Sequence, residues 1–506
     1  MLKRQRSVGV SWLRPGTSTC RAWLGAEVSE LPRTIATAAE ALRDGRLSAV
    51  SLTEALLARA HAANDTLGAF IHLADETALA AARRADADFA AGVDNGPLQG
   101  IPLAIKDIIA TEDAPTTANS RVMNPSWGQR ADATVMRKLR QAGAIMLGKT
   151  VLHEFACGWP DAETGFPMPK NPWDLTRTAG GSSSGTGIAV AADLAIAGLG
   201  TDTGGSIRGP SAFCGLSGIK QTFGLVSKEG CVPLGYSLDH IGPMAHTVWD
   251  CAAMLQVLAG YDPKDPTTVN RPVPDMLALM DGSLEGVRIG VPTEHFFTAP
   301  ALEPEVKQGV LDAIEAMKAA GATVVEVTVP LVAEAQHALW ATMGSEALAY
   351  HQPDLRSKSE LYGRYTREAL QVGMLYTGAD YVQAQRVRSI VKARCLALFR
   401  PALGADGDGV DVLITPSRPT VAPLLEGYDT DFLFLGTNFS GIWNVTGQPA
   451  LCIPCGFGPS TGMPLSLQIV GRPFDEPTVF KVGDAYQRMT DWHLRKPAPV
   501  WEAQPA

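Results

Sequence analysis

Residues 180–222, GGSSSGTGIAVAADLAIAGLGTDTGGSIRGPSAFCGLSGIKQT, constrain the fold more than any other part of this chain. They hold two loops of small residues, Gly180-Gly181-Ser182-Ser183-Ser184-Gly185 and Thr201-Asp202-Thr203-Gly204-Gly205-Ser206, joined by an apolar run. Read as a helix, residues 185–196 climb about 18 Å. Read as a strand, residues 197–203 descend about 23 Å. The two loops can therefore meet, which sets two hydroxyl clusters face to face at one end of a sheet, where open α/β folds place ligands.

The rest of the chain alternates helix and strand patterns without an internal repeat or a low-complexity linker. Ser51-Leu52-Thr53-Glu54 reads as a capping box opening a helix to Ala63, residues 77–91 as a second helix, and Asp132 as the cap of a third ending near Gly143. Residues 287–291, 303–320 and 322–329 read as strand, helix and strand, followed by long helical patterns to about Leu398. Strands are expected at 410–415, 450–453 and 465–470. The alternation predicts an α/β fold with a large, mostly buried sheet. One domain is expected over residues 31–500, preceded by a basic, disordered extension over 1–30 that carries Lys3, Arg4, Arg6, Arg14 and Arg21.

With 506 residues, 46% hydrophobic and 19% charged, the chain has the apolar material for a large core. Its net charge of −9 supplies no basic stripe for phosphate, so nucleic acid is not expected as a partner. The longest apolar stretch, around residues 189–200, is broken by Asp193, so no membrane span is expected and the location reads as cytoplasmic. Eight cysteines are too sparse for a disulfide framework. Cys452-Ile453-Pro454-Cys455 has redox spacing but sits in a strand-like run, so these thiols read as structural. The nine histidines show no metal-type spacing, and neither a metal nor a cofactor is implied.

Gly143-Ala144-Ile145-Met146-Leu147-Gly148-Lys149-Thr150 satisfies the phosphate-loop pattern letter by letter. Its context argues otherwise: a helix precedes it, and its middle residues read as a buried strand rather than as exposed backbone N–H groups. A serine nucleophile needs a base, and no histidine lies near either small-residue loop. No G-x-S-x-G elbow surrounds Ser182 or Ser206, which weighs against a Ser-His-Asp arrangement. Lysine is the substitute, because burial disfavours its charged form. Lys106 ends the apolar run Gly100-Ile101-Pro102-Leu103-Ala104-Ile105-Lys106-Asp107 and is the best candidate, although most lysines are solvated surface residues.

These loops, together with Gly200-Thr201-Asp202-Thr203-Gly204-Gly205-Ser206-Ile207-Arg208 and the Lys106 segment, resemble the amidase signature family of Ser-cisSer-Lys hydrolases. The resemblance extends to Asn171-Pro172-Trp173 and to residues 237–243, 444–449 and 467–471, so it covers nearly everything beyond the first 30 residues. It implies an α/β amidase signature fold, with a large mixed β-sheet core covered by helices on both faces. It further implies Ser206 as the acyl-accepting nucleophile, Ser182 as a bridging serine on a cis peptide after Gly181, and Lys106 as the ultimate base. The backbone N–H groups of Thr203, Gly204, Gly205 and Ser206 would form the oxyanion hole. Asp202 and Arg208 would brace the loops and Ser183 would hydrogen-bond within the relay, while Ser184 reads as loop structure. An ionised Asp107 beside the base would raise its pKa, so its carboxylate is expected to point elsewhere.

The resemblance implies a hydrolase of linear carboxylic amides, extending to aryl amides, esters or carbamates, with a small-molecule amide and water as partners and a homodimer as a possible state. A second expectation within the family is the A subunit of glutamyl-tRNA(Gln) amidotransferase, which releases ammonia from glutamine within a complex. Two features depart from that subfamily: His240 in place of a glutamine, and Glu368-Ala369 in place of a basic pair ahead of Gly373. A third reading, an idle scaffold, conflicts with the presence of Lys106, Ser182 and Ser206 together. The pocket walls are expected from residues 123–127, 159–166, 339–376 and 432–443, whose aromatic and Met side chains suit an apolar group or simply fill core.

Overall fold

The computed structural model describes residues 31–128, 131–426 and 437–498, so the basic extension lies outside the described residues. Eleven strands form one mixed sheet: β1 (Phe70–Leu73), β2 (Pro102–Lys106), β3 (Ile145–Thr150), β4 (Ala197–Asp202), β5 (Ser217–Lys220), β6 (His240–Ala245), β7 (Arg288–Pro292), β8 (Thr323–Val327), β9 (Val412–Pro416), β10 (Ala450–Phe457) and β11 (Pro464–Val470). Their spatial order is β1-β3-β2-β4-β6-β5-β10-β11-β9-β7-β8. The trio β3, β2 and β4 is parallel, as is β9, β7 and β8, and antiparallel pairs join the two. This is the mixed α/β sheet that the sequence predicts.

Strands β2, β3 and β4 are buried along their whole length, which is why they read as continuous apolar runs rather than alternating ones. Lys149 of the phosphate-loop look-alike therefore sits inside the sheet, donating to the Ile109 carbonyl and Thr116 Oγ1 at 2.8 Å each. β2 and β4 pack closely because Gly198 has no side chain; a Cβ there would meet the Ala104 carbonyl oxygen at 2.6 Å. Their register, Ile105 opposite Leu199, brings the C-terminal ends of both strands side by side.

Local boundaries differ from the expected ones for identifiable reasons. The helix expected to open at Ser51 spans Ala49–Leu67, and its capping box is formed by Ser48 and Ser51, so Ser51 is the third helical residue and not the cap. The helix Thr134–Gln141 begins after Ala133 without a side-chain cap. Asp132 instead accepts the Glu112 N–H and pairs with Arg140 at 2.6 Å. The helix after the first small-residue loop is Ser184–Ala191, shorter than the sequence suggests. It stops because Asp193 adopts φ 54° and turns its carboxylate to Arg33 at 2.7 Å. No helix among the described residues is long and apolar enough to cross a membrane.

Candidate active site

Lys106 closes β2 with its side chain wholly buried. Its Nζ lies 2.8 Å from Ser182 Oγ and donates to Thr201 Oγ1 at 2.7 Å. Burial lowers this amine to about 7, against the opposing influence of Cys231, Asp202 and Asp239. The neighbouring Asp107 turns away from it and pairs with Lys149 at 2.8 Å while also accepting the Thr117 N–H at 2.9 Å. The two buried lysines thus divide the environment: Lys149 has a carboxylate counterion, and Lys106 has hydroxyl partners.

The Gly181–Ser182 peptide is cis. The Ser182 carbonyl accepts the His153 N–H at 3.1 Å, and the Ser183 N–H donates to the Ser206 carbonyl at 3.3 Å, which ties the two loops together. Ser183 Oγ is bound to the backbone of Thr201, accepting its N–H at 3.1 Å and donating to its carbonyl at 3.2 Å. Ser183 therefore anchors its loop to β4. Ser184 is buried in the first turn of the following helix.

Asp202 and Arg208 form a wholly buried ion pair at 3.0 Å beneath the second loop. Burial alone would raise the Asp202 carboxyl, but the Arg208 charge and hydrogen bond outweigh it and hold the group well below the usual carboxylate range. Its oxygens also accept the N–H groups of Gly205 at 2.8 Å and Ile207 at 3.1 Å. Arg208 reaches onward to the Ser440 carbonyl, Gln468 Oε1 and Asn444 Oδ1. From the outside, Arg418 donates to the Gly205 carbonyl at 2.9 Å and Asn438 to the Gly204 carbonyl at 3.2 Å. Gly205 has φ +128°, and a Cβ there would meet Arg418 and Ser440 at 2.9 Å each, so only glycine fits.

Ser182, Ser206 and the backbone of Thr203, Gly204 and Gly205 line one cavity. Trp159, Phe213, Leu339, Trp340, Met343, Leu370 and Tyr376 supply the large side chains of its wall. Arg418 is the one charged side chain in that wall among the described residues. The expected wall segments 159–166 and 339–376 contribute, as do Thr437 and Asn438 of the segment 432–443, while 123–127 does not, and residues 432–436 lie outside the described residues. Ala369 faces the cavity, whereas Glu368 pairs with Arg364 at 2.8 Å. His240 lies beside the site, its Nδ1 3.2 Å from the Asp202 carbonyl oxygen. Sequence reasoning gives no individual role to Thr201, His153, Arg418, Asn438, Asn444 or Gln468, although Thr201, Asn444 and Gln468 lie in resembling segments and Asn438 in an expected wall segment. No three metal-binding side chains gather among the described residues.

The family model described as Amidase matches residues 51–480. The chain is 41% identical over 92% of its length to 98% of the A subunit of a glutamyl-tRNA(Gln) amidotransferase from Chloroflexus aggregans. A solved structure bearing on the evolutionary origins of an s-triazine catabolic enzyme superposes with a TM-score of 0.83 at 30% identity, covering 90% of this chain and 98% of that one. The crystal structure of the A subunit of glutamyl-tRNA(Gln) amidotransferase from Thermotoga maritima gives a TM-score of 0.74 at 30% identity, over 90% and 94% of the two chains. The expectation of small-molecule partners without nucleic acid is thereby corrected: relatives matched almost end to end are named as one subunit of an enzyme for glutamyl-tRNA. Net charge misled because it bounds only what one chain's own surface attracts and says nothing of an assembly that the chain joins. With the match over 51–480 and 41% identity to full-length relatives, the chain belongs to the amidase family.

Proposed function

We propose that this protein breaks the C–N bond of a carboxamide through an acyl-enzyme on Ser206. The observation that carries the reading is the buried Lys106 Nζ at 2.8 Å from Ser182 Oγ, with its amine lowered to about 7. Neutral Lys106 takes the Ser182 proton as Ser182 takes that of Ser206, and Ser206 Oγ attacks the carbonyl carbon. The carbonyl oxygen becomes anionic and is received by backbone N–H groups of Thr203, Gly204 and Ser206, since that of Gly205 is engaged by Asp202. The C–N bond then breaks with its electron pair on nitrogen, which takes the proton back through Ser182 and leaves Lys106 neutral. Water enters by the same relay and releases the acid.

We infer further that the amide is glutamine and that the ammonia serves an amidotransferase assembly acting on glutamyl-tRNA(Gln), in the cytoplasm. The near full-length match to relatives of that name supports this reading. A second reading, hydrolysis of an apolar amide by the chain itself, draws on the cavity wall. The α-ammonium of glutamine calls for a carboxylate, and the described wall offers none, Arg418 being its one charge beside hydroxyl and amide groups and a broad aromatic and aliphatic surface. Ammonia release from glutamine and from an aryl acetamide, each with and without proteins retained by the tagged chain in its native host, separates the two. Turnover of glutamine that rises with a co-purifying tRNA-binding protein supports the amidotransferase. Turnover of the aryl amide alone by the isolated chain supports the second reading, and inertness toward both removes the acyl-enzyme reading.

A further inference from the structure

A backbone N–H offered to an oxyanion is only as strong a donor as its own amide is polarised. The N–H of Ser206 shares a trans peptide with the Gly205 carbonyl, and the two groups point to opposite sides of it. That carbonyl accepts the Gly209 N–H at 2.7 Å and Arg418 Nη2 at 2.9 Å. The Gly204 carbonyl beside it accepts the neutral Asn438 amide at 3.2 Å, and the N–H of the same peptide, that of Gly205, is engaged by Asp202. The cation is therefore set on the peptide whose N–H the acyl-enzyme reading gives to the substrate oxygen. Room for it is made by Gly209, in the second position of the helix Arg208–Cys214. A Cβ at Gly209 would fall 2.0 Å from Arg418 Nη2 and 2.8 Å from its Cζ, so a side chain there would push the guanidinium aside. A positive charge on an amide oxygen draws electron density from the nitrogen and leaves its N–H the stronger donor.

We propose that Arg418 is a positioning residue of the oxyanion hole, whose guanidinium on the Gly205 carbonyl polarises the Ser206 N–H toward the charge that forms in the tetrahedral intermediate. The proposal rests on the acyl-enzyme reading and holds whichever amide is the substrate. Because the substrate oxygen is anionic only after attack, Arg418 acts on kcat and leaves KM in place. No bond to Arg418 forms or breaks, and it keeps its proton throughout.

The test measures ammonia release by wild type, Arg418→Lys and Arg418→Gln. The substrate is whichever amide wild type turns over, glutamine in the presence of the proteins that co-purify with the tagged chain or an aryl acetamide with the chain alone. Lys keeps the cation and Gln keeps a donor without charge, so a role limited to tethering the loop does not favour Lys over Gln. In Arg418→Gln kcat is expected to fall roughly 10–30-fold with KM within about twofold, while Arg418→Lys stays within about threefold of wild type. A kcat in Arg418→Lys no higher than in Arg418→Gln, or a loss carried by KM, overturns the proposal and makes Arg418 a tether. Should Arg418→Gln fail to fold, Gly209→Ala decides, since it retains the arginine and moves its guanidinium off the carbonyl. A roughly tenfold lower kcat at unchanged KM then supports the proposal, and a kcat equal to that of wild type overturns it. Failure of the acyl-enzyme reading looks different: wild type then releases ammonia from neither amide, with or without the co-purifying proteins.

Discussion

At the scale of single residues, the site turns on which of two buried lysines can shed its proton. Lys149 is held beside Asp107, and Lys106 is surrounded by the hydroxyls of Ser182 and Thr201. Because the base must be neutral, kcat/KM should fall about tenfold per pH unit below about 7 and level off above it, as the lowered amine of Lys106 dictates. A profile flat from pH 5 to pH 9 would contradict that assignment. Ser206→Ala and Lys106→Ala should each lower turnover by at least about a thousandfold while the far-ultraviolet circular dichroism stays that of wild type. Lys106 was legible because a lysine ending an apolar run is conspicuous. Thr201 was not, because its role exists only through the register of β2 against β4.

At the scale of elements, two devices place those residues. The first is the close approach of β2 and β4 over Gly198, where a side chain would strike the Ala104 carbonyl. Gly198→Val should therefore cost about 1–3 kcal/mol in denaturant unfolding and also lower activity, because it separates Lys106 from the loop after β4. The second is the Asp202–Arg208 pair under the second loop, which binds the N–H groups of Gly205 and Ile207 and reaches Asn444 and Gln468 from distant segments. Asp202→Asn leaves the buried Arg208 charge without its counterion and should cost about 3–5 kcal/mol, seen as a lower midpoint in urea at an unchanged slope. The helix between the loops ends at Ala191, earlier than its apolar run suggests, since Asp193 is drawn to Arg33 far away in the sequence.

At the scale of the whole molecule, one mixed sheet carries the site, and no disulfide holds it among the described residues. Seven described cysteines are free, with burial pushing the Cys157, Cys231 and Cys395 thiols up to about 12. A thiol reagent should thus react slowly with these thiols in the folded protein at neutral pH and reach all eight cysteines only in denaturant, and a reductant should leave Tm unchanged. A rise of several degrees in Tm on oxidation would contradict this. The sequence by itself determined the fold class, the strand and helix order around residues 102–202, and the two loops that meet, since each follows from local apolar patterning and chain length. Only the tertiary structure decided that Thr201 joins Ser182 beside Lys106, which backbone donor Asp202 engages, where His153 lies and which residues of the expected segments line the cavity. Those depend on strand register and on contacts between segments hundreds of residues apart, and local patterning carries no record of either.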